Sequence, residues 1–405
     1  MSERAIVIYC GLLMSISAFS VDITLPSFPA MVADFGSPFE QVQWTIALYM
    51  MGAGVGQLVW GSVSDRFGRR PALGIGLALF LIGCLGASFA PTITLLLASR
   101  VLQGIGAASA IVSSRAIIRD RHSGADLARN LALATAIFAV GPIFAPLVGS
   151  AMAAVSGWRG VFFALAVFAA FLLVALARLP ETLKERAADA TQPRVFARRA
   201  ARLMRHPQSR YFLLLSAIIM SSMLLILSTV PRLYERAFGI TGVAFAVFFA
   251  FHGLGIVIGQ FANRRLIQTV GVVNAMIVGN VVLIASSALI LATSLAGMID
   301  AYIMTALFVL FATSYLVLYS NAAAMVLDPH GDIAGFAAAF YGFTSQIGSA
   351  VLVSALVVLT GDSIPVFAGT LLAICALTML ALLGWRLRSR NLEGAEASTP
   401  TSRSS

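Results

Sequence analysis

Charge is scarce in this sequence, and the residue clusters on which many enzymes depend are missing from it. Asp and Glu number 17, and charged residues make up 11% of the 405 residues, against about 25% in a soluble domain. The three cysteines, Cys10, Cys84 and Cys375, lie singly in apolar runs, which excludes a disulfide framework and a CxxC pair. No GxxxxGK[ST] phosphate loop occurs. The sequence therefore predicts no metal site, no cofactor, no ATP-driven step and no catalytic triad.

Apolar residues are abundant instead. They make up 59% of the chain, and the mean hydropathy is +0.92. A run of about 20 apolar residues crosses a hydrocarbon core of about 30 Å as a helix. Twelve such runs occur, at 5–27, 41–62, 72–90, 93–114, 128–152, 160–178, 210–230, 241–262, 272–293, 297–321, 334–358 and 364–386. The sequence thus predicts an all-α membrane protein with twelve transmembrane helices.

The net charge of +10 could indicate a nucleic-acid partner, but the distribution of the basic residues indicates topology instead. If the N-terminus is cytoplasmic, the inward-facing segments carry 23 of the 27 Lys and Arg residues. This bias is the positive-inside rule, so both termini are expected in the cytoplasm and no nucleic acid is expected to bind. One inward loop, LDPHGD at 327–332, contains no Lys or Arg.

The longest polar stretch, 179–209, separates six apolar runs from the next six. It is rich in Arg and Ala, and we expect a cytoplasmic linker with a short surface helix at about 194–205. Residues 1–178 and 210–390 are then two six-helix halves, and 391–405 is a tail expected to be disordered. A repeated turn supports two parallel halves. It is GxxxDR (Gly61, Asp65, Arg66) after the second run and GxxxNRR (Gly259, Asn263, Arg264, Arg265) after the eighth.

The stretch GSVSDRFGRRP at 61–71 concentrates charge between two apolar runs. Glycine allows a tight turn, and Pro71 suits the first turn of the next helix. Arginines anchor such a loop on the cytoplasmic face, but this does not explain Asp65. Its carboxylate could pair with a nearby arginine, or it could dock on the positive N-terminal end of the eleventh span near Ala334.

Four stretches now resemble known motifs. GSVSDRFGRRP resembles the loop signature of the major facilitator superfamily, and LASRVLQGIGAA at 97–108 resembles the fourth-span motif of its drug:proton antiporters. AVGPIFAPLVG at 139–149 is similar to the fifth-span antiporter motif, although Ser150 follows where glycine is usual. VDITLPSFPAM at 21–31 is similar to the first span of the Bcr/CflA branch, which includes bicyclomycin and chloramphenicol exporters, and RLPETL at 178–183 also fits.

The resemblance implies twelve spans in two pseudo-symmetric six-helix halves that rock about a central site. It also implies that the loop at 61–71 is a conformational latch on the cytoplasmic side. Asp65 would hold the eleventh span when that side is closed, and the arginines would fix the turn. The predicted latch residues are Gly61, Asp65, Arg66, Gly68 and Arg69.

Asp22 and Arg100 are charged residues inside spans. A rise of about 1.5 Å per residue places Asp22 about 26 Å along the first span and Arg100 about 10 Å into the fourth, both in the outer half. Such residues should face a watery cavity or a partner. They could form a permanent salt bridge. Alternatively they are a titrating pair, in which Asp22 exchanges a proton or contacts the drug and Arg100 is its counter-charge.

The fifth span and the remaining polar span residues each have two interpretations. Gly141, Pro142, Pro146 and Gly149 could give a plain kink. By resemblance they form the antiporter motif, and the kinked span contacts the eighth span and seals one end of the cavity. Polar span residues could line a cavity for a drug-sized amphiphile or bond between helices. The candidates for the cavity wall, besides Asp22 and Arg100, are Tyr49, Gln57, His252, Asn321, Tyr341 and Gln346.

The expected function is proton-coupled efflux of hydrophobic or amphipathic drugs by alternating access. We expect a monomer in the lipid bilayer of a bacterial inner membrane, with a small-molecule drug and the proton as partners. A proton-coupled exporter or importer of a metabolite has the same sequence features and stays open. A membrane enzyme would need catalytic groups that converge in one layer, and the sequence has none.

Overall fold

The computed structural model describes residues 1–183, 185–187 and 189–398. These residues form thirteen α-helices, and none of them lies in a β-strand. In chain order the helices are α1 (Glu3–Asp22), α2 (Phe28–Phe35), α3 (Phe39–Phe67), α4 (Arg69–Ser88), α5 (Ile93–Arg121), α6 (Gly124–Leu176), α7 (Pro193–Arg205), α8 (Pro207–Phe238), α9 (Gly242–Val270), α10 (Val272–Leu295), α11 (Ala301–Leu327), α12 (Ala334–Thr360) and α13 (Ile364–Ser398).

Ten continuous helical stretches among the described residues are long and apolar enough to cross a membrane. Two of them, 53 and 57 residues long, each contain two crossings. The first is α6, which breaks at Gly157 because this glycine has a φ of 68°, a left-handed value that glycine adopts without strain. The second is α11 and α12, which are separated by a 3-10 turn at Asp328–Ile333. The predicted twelve-helix fold is therefore confirmed.

Several helices continue past the apolar runs that predicted them. α3 extends to Phe67, and only Gly68 (φ 112°) separates it from α4. α9 extends to Val270 and is followed by Gly271 (φ 78°). The predicted turns at 61–66 and 259–265 are thus wrong, because these residues are helical and the turns come at the two glycines. A polar helix end keeps its backbone hydrogen bonds outside the hydrocarbon, so the end of an apolar run does not mark the end of a helix.

The predicted linker helix is confirmed as α7, which docks on the loop that lacks basic residues. Arg202 of α7 donates two hydrogen bonds to the carboxylate of Asp332, at 2.6 and 3.0 Å. His330 of the same loop contacts Ser209 Oγ at 2.9 Å and the ring of His206 at 5.3 Å. The loop at 327–332 therefore receives its positive charge from the linker. The tail begins later than expected, because Ala, Leu and Glu continue α13 to Ser398; residues 399–405 lie outside the described residues.

The first half consists of α1 to α6 and the second half of α8 to α13. They meet where α3 packs on α12 and where α6 packs on α9. We call the face that carries Glu3 and the linker the linker face, and the other side the opposite face. At the linker face the Arg121 side chain donates to Glu3 at 3.0 Å, which joins the ends of α5 and α1.

Candidate functional site

A cavity of about 550 Å³ lies between the two halves. We call it the central cavity. Its wall is formed by α1, α3, α5 and α6 of the first half and by α8, α9, α11 and α12 of the second. Most of the wall is apolar. The polar and charged residues with the longest side chains on it are Asp22, Gln57, Arg115, His252, Gln260, Tyr319, Tyr341 and Gln346.

The central cavity continues toward the linker face into a second cavity of about 400 Å³, which we call the vestibule. The two share wall residues, among them Gln57, Arg115 and Thr135. The vestibule wall also contains the charged residues Asp65, Arg69, Arg119 and Arg199. The bundle is therefore open on the linker side.

At the opposite face, side chains join the halves. Arg232 of α8 donates to Glu40 of α3 at 2.6 Å and also forms an ion pair with Asp362, which follows α12. The Gln43 amide of α3 donates to the backbone carbonyl of Ser228 in α8. We call these five residues the outer clasp; it closes the end of the bundle that lies away from the vestibule.

Asp22 lies at a break in the first span. α1 ends at Asp22, because Pro26 has no N–H to donate to the Asp22 carbonyl four residues earlier. The side chain is on the wall of the central cavity and is 6% exposed. Within the described part of the chain, its carboxyl group has no hydrogen bond and no ion pair.

Arg100 does not reach that carboxyl group. It is fully buried, and it donates to the Thr45 carbonyl at 3.0 Å and to Gln103 Oε1 at 2.7 Å. Its guanidinium lies 4.5 Å from the centre of the Tyr49 ring. Asp22 and Arg100, both of which the structure describes, therefore do not form the permanent salt bridge.

The close approach of α3 and α5 explains where Arg100 points. A Cβ atom at Gly104 would overlap the Tyr49 carbonyl, and one at Gly52 would overlap the Val101 carbonyl. The two glycines therefore bring the helices together and hold Arg100 between them. Arg100 and Tyr49 are not among the residues that form the wall of the central cavity in this structure.

The second half contributes three of the predicted wall residues. His252, Tyr341 and Gln346 lie on the wall of the central cavity. His252 is 3% exposed and stacks on Phe249 at 5.1 Å, and neither of its ring nitrogens has a hydrogen-bond partner among the described residues. The Tyr341 hydroxyl donates to the Tyr319 carbonyl at 2.7 Å.

Asn321 is not a cavity-wall residue either. Its amide donates to Asn263 Oδ1 at 2.9 Å, across the contact between α11 and α9. Asn263 is the residue of the second half that corresponds to Asp65 in the repeated sequence. Asn321 therefore follows the alternative interpretation, in which a polar span residue bonds between helices.

The predicted antiporter motif lies where α6 meets both α1 and α9. α6 stays helical through Pro142 and Pro146. A Cβ atom at Gly141 would lie 3.2 Å from Ala18 Cβ in α1. A Cβ atom at Gly253 of α9 would lie only 2.7 Å from the Pro142 carbonyl carbon.

Gly149, further along α6, also lies against the first span. A Cβ atom at Gly149 would overlap the carbonyl of Ile23. The motif thus brings three backbones together beside Asp22. The contact of this span with the eighth span, implied by the resemblance, is present as the contact between Pro142 and Gly253.

One of the predicted latch residues, Arg69, binds two carboxylates in this structure. The Arg69 guanidinium contacts Asp65 at 2.5 Å and Asp120 of α5 at 2.8 Å. Asp65 therefore has a local arginine partner here, the first of the two possibilities. Gly61 lies on the vestibule wall, and Arg66 bonds to the hydroxyl of Thr191 in the linker.

The linker also caps α4. The Glu181 carboxylate accepts from the backbone N–H groups of Arg69 at 2.9 Å and Arg70 at 3.1 Å, at the positive end of that helix. Burial raises the pKa of Glu181, but hydrogen bonds from four backbone N–H groups outweigh burial, so the pKa is below its usual value of 4.5. The start of the linker is therefore bound to the first half through Glu181.

Sequence reasoning missed several residues that the structure places at these sites. Arg115 was counted with the basic residues that set topology, but it lies on the wall of both cavities. The sequence offered no signal for this position, because only the structure shows that α5 continues beyond the apolar run to Arg121. Arg232 was assigned to an outward loop, and no sequence pattern connects it with Glu40.

Comparisons with known proteins agree with this architecture. The family model described as Major Facilitator Superfamily matches residues 10–353. The chain is 29% identical to the "Uncharacterized MFS-type transporter YdgK" of Bacillus subtilis, over 84% of this chain and 85% of that protein. It is 25% identical to the "Bicyclomycin resistance protein homolog" of Haemophilus influenzae, over 95% of this chain and 96% of that protein.

Solved structures show the same fold. The xylose transporter XylE from E. coli, in a partially occluded inward open conformation, superimposes with a TM-score of 0.70 at 15% identity, over 95% of this chain and 97% of that one. The family and its relatives indicate a transport protein rather than an enzyme. This chain belongs to the major facilitator superfamily.

Proposed function

We propose that this chain exports hydrophobic or amphipathic drugs from a bacterial cytoplasm in exchange for protons. The observation that carries the proposal is Asp22. Among the described residues it is the sole acid on the wall of the central cavity, and it has no cation partner. An ionised carboxylate in such surroundings is costly, so its charge state depends on what else the cavity holds.

The cavity suits a drug-sized amphiphile. Its volume is about 550 Å³, within the range of small-molecule sites. Met14, Met50, Met220 and Met223 line it from both halves, and methionine side chains adapt to ligands of different shape. Such a wall supports the export of several apolar molecules rather than one.

The arrangement of open and closed ends supports alternating access. The linker face carries most of the basic residues, and we assign it to the cytoplasm. The vestibule then admits a drug from the cytoplasm while the outer clasp keeps the other end closed. Rocking of the halves would open the clasp and expose Asp22 to external protons. A monomer suffices, because one chain forms the whole cavity.

The relatives support a drug as the transported molecule. They also support the assignment to a branch of the family. The Haemophilus relative is named for bicyclomycin resistance and matches along almost all of this chain. We therefore assign the chain to the Bcr/CflA branch of the drug:proton antiporters and to the inner membrane.

The test is efflux from a bacterium that lacks its own drug exporters, with a drug panel at two external pH values. We expect the chain to lower drug accumulation, more so at the lower pH, and Asp22→Asn to abolish the pH dependence. Asp126→Asn, an exposed acid on α6, is the matched control and should behave as wild type. Retention of pH-dependent efflux by Asp22→Asn at normal protein level would refute the proposal. Proton-driven movement of a metabolite alone would support the alternative function.

A further inference from the structure

Arg115 lies where the central cavity meets the vestibule, and the proposed function does not use it. Its side chain is exposed to both cavities. It comes six residues before Arg121, whose guanidinium bonds Glu3 at the linker face. At about 1.5 Å per residue, Arg115 is about 9 Å inside the bundle from that face.

Among the described residues, none forms an ion pair with Arg115. In the part of the chain that the structure describes, Arg115 and its vestibule neighbours Arg119 and Arg199 form no ion pair. The vestibule contains one acid, Asp65, and that acid is bound to Arg69. The passage to the central cavity is therefore lined by unneutralised cations.

Topology does not account for this arrangement. The positive-inside rule needs basic residues in loops and near helix ends, and the linker and the loops supply them. A cation inside the bundle is costly unless it faces water or a partner. A guanidinium that faces a cavity without a protein carboxylate is instead a site for a ligand's acidic group, which its planar fork binds with two hydrogen bonds.

Asp22 does not neutralise Arg115, because the two lie at different depths. Asp22 is 19 residues after Glu3 along α1, so it is about 28 Å from the linker face and about 20 Å deeper than Arg115. The two connected cavities are thus positively charged near the linker face, at Arg115, and contain the carboxyl group of Asp22 at the end away from that face.

We propose that Arg115 recognises an anionic group and that this chain binds amphiphiles bearing a carboxylate in preference to cationic ones. The guanidinium binds the carboxylate, and the apolar body lies against Ile111 and Phe138 of the central cavity. Arg119 and Arg199 raise the local concentration of anions at the mouth. The proposal rests on the proposed export function for the direction of transport, but binding itself does not require transport.

The test uses the purified full chain in neutral detergent at pH 7 and low salt. Three fluorescent probes share one naphthyl body and carry a carboxylate, a carboxamide or an ammonium group. We expect the wild type to bind the carboxylate most tightly and the ammonium least. Arg115→Gln should weaken carboxylate binding about tenfold, near the lower end for a hydrogen bond to a charged group, and leave carboxamide binding unchanged.

Two further variants separate recognition from general charge effects. Arg115→Lys should retain most of the carboxylate preference, since it keeps the charge. Arg129→Gln makes the same charge change on an exposed part of α6 away from both cavity walls, and it should bind as wild type.

The proposal is overturned if the wild type binds the ammonium probe as tightly as the carboxylate, or if Arg115→Gln weakens the carboxylate and carboxamide probes equally. The binding assay contains no proton gradient, so its result does not depend on proton coupling. Loss of pH-dependent efflux in cells therefore tests proton coupling, and the probe ranking tests Arg115, so the two can fail separately.

Discussion

The outer clasp allows a quantitative prediction about the balance between the two access states. Arg232 is 18% exposed, whereas its partners Glu40 and Asp362 are 39% and 43% exposed. The pair with Glu40 is the one that crosses between the halves. Exposed ion pairs contribute about 0.2–1 kcal/mol. Since Arg232 is largely buried, we take about 1 kcal/mol, which corresponds to about a fivefold change in the ratio of the two states.

Arg232→Gln should therefore raise the fraction of molecules open to the opposite face about fivefold. The assay is the reaction rate of a membrane-impermeant maleimide with the thiol introduced by Leu227→Cys. Leu227 lies on the cavity wall beside the clasp residue Ser228 and is 7% exposed, so reagent reaches it from the opposite face when the clasp opens. The chain's own cysteines are buried and do not interfere.

Arg236→Gln is the matched control. It removes the same charge one helical turn later, but Arg236 is 65% exposed and lies 3.9 Å from Asp362. Glu40→Gln should raise the rate as Arg232→Gln does, and the double variant should add little, because both changes remove one interaction. An unchanged rate in Arg232→Gln, or an equal rise in Arg236→Gln, would refute the assignment of the clasp.

Two further predictions concern the α6–α9 contact and the cap of α4. Gly253→Ala places a Cβ 2.7 Å from the Pro142 backbone, so it should force α9 from α6 and reduce efflux at unchanged protein level; Gly369→Ala, which meets nothing within 4 Å, should not. Glu181→Gln should lower stability by about 1 kcal/mol, as loss of a helix cap does, measured by thermal unfolding in detergent. Because the pKa of Glu181 is lowered from 4.5, this difference should be present above pH 4.5 and should vanish as pH falls through the lowered pKa; Glu185→Gln in the exposed linker should leave stability unchanged.

The sequence was sufficient for the fold because membrane crossing depends on length and hydropathy, which are local properties. It was less informative about helix ends. α9 continues for several polar residues beyond its apolar run to Val270, since an α-helix remains the simplest way to satisfy its backbone outside the hydrocarbon. The amphipathic pattern of α7 was visible in the same way, as a local feature of 13 residues.

The site was only partly predictable, because hydropathy does not fix the rotation of a helix about its axis. Asp22 and His252 lie on the cavity wall, whereas Arg100, which the sequence also places in the outer half, points between α3 and α5. Close packing at Gly52 decides that direction, and a contact between distant segments cannot be read from spacing. Arg115 was assigned to an inward-facing segment for a different reason, because the apolar run ends at 114 whereas α5 continues to Arg121.

The attachment of the linker limits how far the protein can move. Up to Thr191 the linker is bound to the first half, through the Ala187 N–H to the Asp65 carbonyl at 3.0 Å and through the contact of Thr191 with Arg66. From Pro193 onward it is α7, which is bound to Asp332 of the second half. The tether between the two rigid bodies is thus reduced to the residues around Gln192. We expect this short tether to limit how far the two halves can separate at the linker face, and a longer linker to allow a wider separation without any change in the residues of the central cavity.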